Sequence, residues 1–235
     1  MENYFKKLIK YFFSKTSWRL KKIHINRNYV NQKPNLSVIK ALYNSNGVIH
    51  MGAHRGGEAP VYDWFQKKTI WVEANPKLIP DLRDNVYQYP HQKVIHALLS
   101  DKDDEHKEFY ISNNDSASSS VYKFGQKSIE QNLEMISKLK IKSSKFDTIV
   151  KNEAIEILDY DFWVIDLQGS ELLALIGAKE SLEKCKSILV EISKTEYYKN
   201  AVKWEELKKF LNENNFFQQW EPLEDHTDIL FIKNN

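Results

Sequence analysis

The chain has 235 residues, 42% of them hydrophobic and 28% charged, with a net charge of +2. That is enough apolar material for one sizeable core but short for two full domains, and it excludes general disorder. The only cysteine, Cys185, excludes an internal disulfide framework and any CxxC zinc or redox site, and a reducing, cytoplasmic compartment is expected.

Residues 1–33 hold nine Lys or Arg against one acid, Glu2. Phe5, Leu8, Ile9, Phe12, Leu20 and Ile23 share one side of a 3.6-residue period, which predicts a basic amphipathic helical arm. Lysines interrupt it too often for a bilayer span, and it lacks the apolar core and cleavage site of a signal peptide. Two readings stay open: a helix packed on the main domain, or peripheral membrane contact through residues 1–33. Nucleic acid is not expected as a partner.

The main domain is expected over residues 34–235. A polar linker from Asn31 to Ser37 leads into a short helix that Asn46-Gly47 would stop. Strands are then predicted at Val48 to Met51, Thr69 to Glu73, Lys93 to Leu98, Phe162 to Asp166 and Ser187 to Ile192. Helices are predicted between them, at Ala59 to Phe65, Pro76 to Val86 and Glu171 to Leu182. Such alternation argues for an α/β, doubly wound, Rossmann-like sheet, mostly parallel. Two regions break it. Residues 112–145 read as a long polar loop, a substrate-lid insertion in which Asn113 to Phe124 offers Asp115 and several serines for hydroxyls and Tyr122 and Phe124 for stacking. Phe216 to Trp220 and Thr227 to Ile232 read as an antiparallel C-terminal hairpin.

In such sheets ligands bind at the carboxyl ends of the strands. There, after Val48 to Met51, stands Gly52-Ala53-His54-Arg55-Gly56-Gly57. A P-loop would need Gly-Lys followed by Ser or Thr, and none is present. The dinucleotide fingerprint would need glycine where His54 stands, which disfavours a nicotinamide-dependent oxidoreductase without excluding it. His50 and His54 with Asp166 make a poor metal cluster, so no metal is expected. Glu73 ends the next strand about twenty residues on, where an acceptor-only carboxylate matches the two hydroxyls of a ribose. The glycine turn and this Glu together point to an adenosine-containing ligand. Asn75-Pro76 opens the following helix, and Asn75 is also a natural cap.

The runs GAHRG, WVEANP, HALLSD (His96 to Asp101), FWVIDLQGSELLALIGA (Phe162 to Ala178) and SILVEIS (Ser187 to Ser193) resemble the FkbM family of class I S-adenosylmethionine-dependent methyltransferases. The most specific part is the spacing Asp166, Gly169, Glu171, Gly177. The resemblance implies a seven-stranded sheet finished by an antiparallel strand, S-adenosylmethionine as cofactor, and O-methylation of a sugar-like or small-molecule hydroxyl acceptor, as in glycan modification. It implies that Gly52, Ala53 and His54 pass the methionine part, and that Glu73 takes the ribose. Leu99, Ser100 and Asp101 would border the adenine, and Asp166 and Gln168 would line the floor near the methyl group. Gly56, Ala74 and Asn75 complete the expected cofactor contacts. His50 stands where the family generally has Asp, and Val164 where it commonly has Lys; these departures keep a non-catalytic binding module in view. Methyl transfer to a hydroxyl needs in-line positioning and a base, for which His54 comes first, then Glu58, Asp166 and Glu171. Glu171 fits equally as an anchor for the loop at Gly169.

Overall fold

The computed structural model describes residues 36–234; the basic arm predicted over residues 1–33 lies outside them. Ser37–Asn235 form one structural unit. Its elements run α1 Leu36–Asn44, β1 Gly47–Met51, α2 Ala59–Trp64, β2 Lys68–Glu73, α3 Ile79–Val86, β3 Gln92–His96, β4 Leu98–Leu99, β5 His106–Ser112 and α4 Gln126–Glu130. Then come β6 Met135–Ser144, α5 Phe146–Asn152, β7 Phe162–Ile165, α6 Glu171–Ile176, α7 Lys179–Leu182, β8 Ser187–Ser193, α8 Trp204–Glu213, β9 Phe216–Gln218 and β10 His226–Lys233.

Seven strands form one sheet in the order β3-β2-β1-β7-β8-β10-β9. Pairing is parallel from β3 through β8, whereas β10 runs antiparallel to both β8 and β9. The order reverses between β1 and β7, which opens a crevice at their carboxyl ends. Because side chains alternate across a strand, β1 sends Ile49 and Met51 to one face and Val48 and His50 to the other. Both faces are covered, so the central strands are apolar almost throughout. On one side Trp163, Ile165, Ile188 and Val190 pack with Phe146, Leu175, Leu182 and Leu211 from helices α5 to α8. On the other side Val48, Trp71, Phe162 and Leu230 pack with Leu42, Tyr62, Leu82 and Val86 from α1 to α3.

The expected polar loop over residues 112–145 is instead ordered structure. It contains α4 and the ten-residue strand β6, which pairs antiparallel with β5 and parallel with β4 in a second, three-stranded sheet. β6 alternates exposed Lys138, Lys140 and Lys142 with Leu139 and Ile141, and those two pack on Phe109 and Ile111. A strand with one wet face looks polar in composition although its period is 2. The predicted helix from Glu171 to Leu182 is two shorter ones, separated at Gly177-Ala178. No described helix is long and apolar enough to cross a membrane.

Candidate active site

β1 ends in a turn that only glycine can start. Gly52 has φ +89°, and a Cβ there would stand 1.7 Å from the Asp166 carbonyl oxygen. The close approach ties β1 to the end of β7, while the Gly52 and Ala53 amides both donate to the Val72 carbonyl at 2.9 and 3.0 Å. His54 follows in the left-handed region at φ 47°. Its amide then donates to Glu73 Oε2 at 2.8 Å, and the Asn75 amide donates to Glu73 Oε1 at 2.7 Å. Glu73 thus accepts from both the turn after β1 and the loop after β2. Glu73 is 7% exposed, and burial raises its carboxyl above the usual range against the opposing pull of these amides.

A cavity of about 230 Å³ lies against this turn, lined by Gly52, His54, Glu73, Ala74, Leu99, Asp166 and Gln168 among others. These seven are expected cofactor contacts that the fold brings together. Apolar Ala97, Leu98 and Phe109 complete one wall, and Ser116, Ala117 and Ser119 form the roof. Three residues of the segment expected as a lid over an acceptor thus line this cavity. The segment is fastened by its own residues: Asp115 receives a two-pronged ion pair from Arg55 at 2.6 and 3.0 Å, and its carbonyl lies 2.9 Å from His54 Nε2. Phe124, expected as a stacking face, is buried against Tyr198.

Other expected contacts lie elsewhere, for local reasons. Ala53 is buried in the core beside Tyr62 and Trp71. Gly56 packs on α3, where a Cβ would come within 2.8 Å of Leu82. Asn75 accepts the Lys77 amide at 3.1 Å, closing the turn ahead of α3 rather than capping the helix, and its buried Nδ2 has no partner. Ser100 is buried and donates to Asp101 at 3.0 Å; neither lines the cavity. Glu58 lines neither cavity described here and sits 4.0 Å from His50 Nδ1. His50 itself faces the core: it stacks on Trp71 at 5.1 Å, meets the Tyr62 hydroxyl at 3.0 Å, and burial lowers its pKa. Among the described residues no group of three or more His, Cys, Asp or Glu is arranged to hold a metal ion.

Beyond the loop after β7 lies a second cavity of about 520 Å³. Glu171 and Glu191 line it, with Ser193, Thr195, Asn200 and Trp204. Glu171 Oε1 accepts the Leu167 and Gly169 amides at 3.1 and 2.9 Å, so it anchors the loop between the cavities. Burial pushes its carboxyl up to about 7. Gln168, at φ 54°, bridges the two sides. Its Nε2 donates to Asp166 Oδ1 and, at 2.7 Å, to Glu191 Oε2, while its Oε1 meets the Tyr198 hydroxyl. Burial and the neighbouring charge of Glu191 hold Asp166 well above the usual carboxylate range. Burial also pushes Glu191 up to about 8. Behind Glu191 stands His226, with Nε2 at 3.0 Å from Oε1 and Nδ1 at 2.8 Å from the Ser193 hydroxyl. Sequence reasoning gave Glu191 and His226 no role, yet an acid inside the apolar run SILVEIS was a visible signal.

Residues 50–217 match the model of the methyltransferase FkbM domain. No curated protein matches the chain in sequence. Among solved structures the chain is similar to magnesium protoporphyrin IX methyltransferase from Synechocystis with bound SAH, at 7% identity and TM-score 0.46 over 85% of this chain and 78% of that one. It is also similar to fibrillarin from Aeropyrum pernix with natively bound S-adenosyl-L-methionine, at 14% identity and TM-score 0.47 over 81% and 68% of the two chains.

Proposed function

The chain belongs to the FkbM methyltransferase domain family, and from that premise we propose that it is an S-adenosylmethionine-dependent O-methyltransferase acting on a hydroxyl of a glycan or secondary metabolite. The observation that carries the cofactor assignment is Glu73, a buried carboxylate that lines the smaller cavity beside the glycine turn. Its two acceptor oxygens match the two hydroxyls of a ribose. Ala97, Leu98, Leu99 and Phe109 suit an adenine, and Asp166 suits a positive sulfonium. No pyrophosphate has to be seated, so His54 in the fingerprint position is no obstacle.

S-adenosylmethionine supplies a methyl carbon already activated for displacement. The protein's part is to hold the acceptor in line and to accept its proton. The larger cavity supports a sugar-like acceptor: Ser193, Thr195 and Asn200 offer hydrogen bonds to hydroxyls, and Trp204 an apolar face. The buried position of His50 removes it from any catalytic argument, and a departure there does not favour a non-catalytic module. We also infer a cytoplasmic enzyme whose basic arm over residues 1–33 either packs on the domain or makes peripheral membrane contact; flotation of the full chain and of a chain lacking residues 1–33 with anionic vesicles decides between the two.

Calorimetry with S-adenosylmethionine, S-adenosylhomocysteine and NAD tests the central reading. Binding of the first two without the third is expected; binding of NAD alone would overturn it. A mass-shift screen of glycans and small hydroxyl compounds with labelled cofactor then identifies the acceptor.

A further inference from the structure

Asp166 lines the smaller cavity and Glu191 the larger one, and Gln168 gives one hydrogen to each. Two carboxyls held on one amide nitrogen in a part-buried place cannot both be ionised at low cost. Resting on the methyltransferase reading, we propose that the Asp166–Glu191 pair holds one proton in the free protein, releases it when a cationic ligand fills the cofactor cavity, and then accepts the acceptor hydroxyl's proton on Glu191.

The geometry gives each stage a place. A positive sulfonium beside Asp166 relieves the repulsion between the carboxylates, so the shared proton is no longer needed. His226 touches Glu191 on the far side, and its side chain is 31% exposed, which provides a route to solvent. Ser193 fixes the ring from Nδ1, so Nε2 faces Glu191. The emptied carboxylate then fronts the acceptor cavity. In the transfer the acceptor oxygen forms its bond to the methyl carbon, the carbon–sulfur bond breaks with its electron pair going to sulfur, and the hydroxyl proton goes to a Glu191 oxygen.

The surrounding groups set the titration. Asp166 faces Glu191 from the end of β7, Glu171 from α6, Tyr198 from the loop after β8, and His226 and Asp228 from β10. The elevated positions of Asp166 and Glu191 agree with a retained proton near neutral pH. The device also distinguishes the charged cofactor from its neutral thioether product, because only the sulfonium discharges the pair.

The test is calorimetry of the full chain at pH 7.5 in two buffers of different ionisation enthalpy. Wild type should release about one proton per S-adenosylmethionine bound and clearly fewer per S-adenosylhomocysteine. Glu191→Gln should bind the cofactor and lose this release. Retained release in that variant would assign the proton to Glu171 or His226 and overturn the proposal. If the variant fails to fold, infrared difference spectra of wild type decide: a protonated-carboxyl band should vanish on adding S-adenosylmethionine and persist with S-adenosylhomocysteine, and an unchanged band overturns the proposal. Absence of cofactor binding by wild type would instead remove the cofactor assignment itself, and this inference with it.

Discussion

Glu73 Oε2 accepts the His54 amide at 2.8 Å, so the side chain assigned to the ribose also holds the glycine turn in shape. One residue therefore couples the form of the loop to its ligand. Glu73→Ala should weaken S-adenosylmethionine binding by about 1–3 kcal/mol, because two backbone donors and the ribose hydroxyls lose their acceptor. Glu73→Gln, which keeps one acceptor oxygen, should fall between. Calorimetric dissociation constants check this, and unchanged affinity in both variants would separate Glu73 from the ligand.

Gly52→Ala meets a more severe obstacle. The new methyl has no room against the Asp166 carbonyl, and the backbone sits at φ +89°. Left-handed strain and overpacking together should destabilise the fold by roughly 2–5 kcal/mol. Urea unfolding of the variant beside wild type measures it; a loss below about 1 kcal/mol would mean that β1 and β7 separate more easily than their packing implies.

The lid offers a kinetic prediction. Arg55 and Asp115 form an exposed ion pair, a class of contact worth about 0–1 kcal/mol and weakened by salt. Asp115→Ala should raise the cofactor dissociation constant only a few-fold, while both association and release become faster. Stopped-flow fluorescence reads both rates, and raised salt should move wild type toward the variant. A variant with wild-type rates would show that the pair does not govern the lid.

Stability should depend on pH through the buried acids. Glu171 and Glu191 titrate at about 7 and about 8 in the folded chain, above their ordinary value of 4.5. The folded state thus binds more protons than the unfolded one, so this contribution is complete below pH 4.5 and is lost as pH rises toward 8. The ligand-free melting temperature should fall by roughly 10–20 °C between pH 5.5 and 8.5 from this source. Glu191→Gln should flatten the profile; a curve as steep as that of wild type would place the protons elsewhere.

Apolar runs made the sheet legible. Val48 to Met51, Thr69 to Glu73, Phe162 to Ile165 and Ser187 to Ile192 are buried on both faces, so composition alone marks them as strands. β6 escaped because three lysines on its wet face masked the alternation with Leu139 and Ile141. Helix α8 carried its signal in Trp204, Leu207 and Leu211, a spacing that goes with burial of one face. At the site, Glu73 was readable from its place at a strand end, whereas Asp166 and Gln168 came only from the family resemblance. The contacts that join distant segments were not readable: Asp115 lies 60 residues from Arg55, and His226 lies 35 from Glu191, so only the folded chain pairs them.

The roof over the smaller cavity turns at Asp115 and Ser116 with φ 61° and 67°, yet neither position is glycine. Each such residue costs about 1–2 kcal/mol, comparable to what its fastenings return. The strain at these two positions offsets most of what the exposed ion pair returns, so the segment beside the cavity is held by a small net free energy.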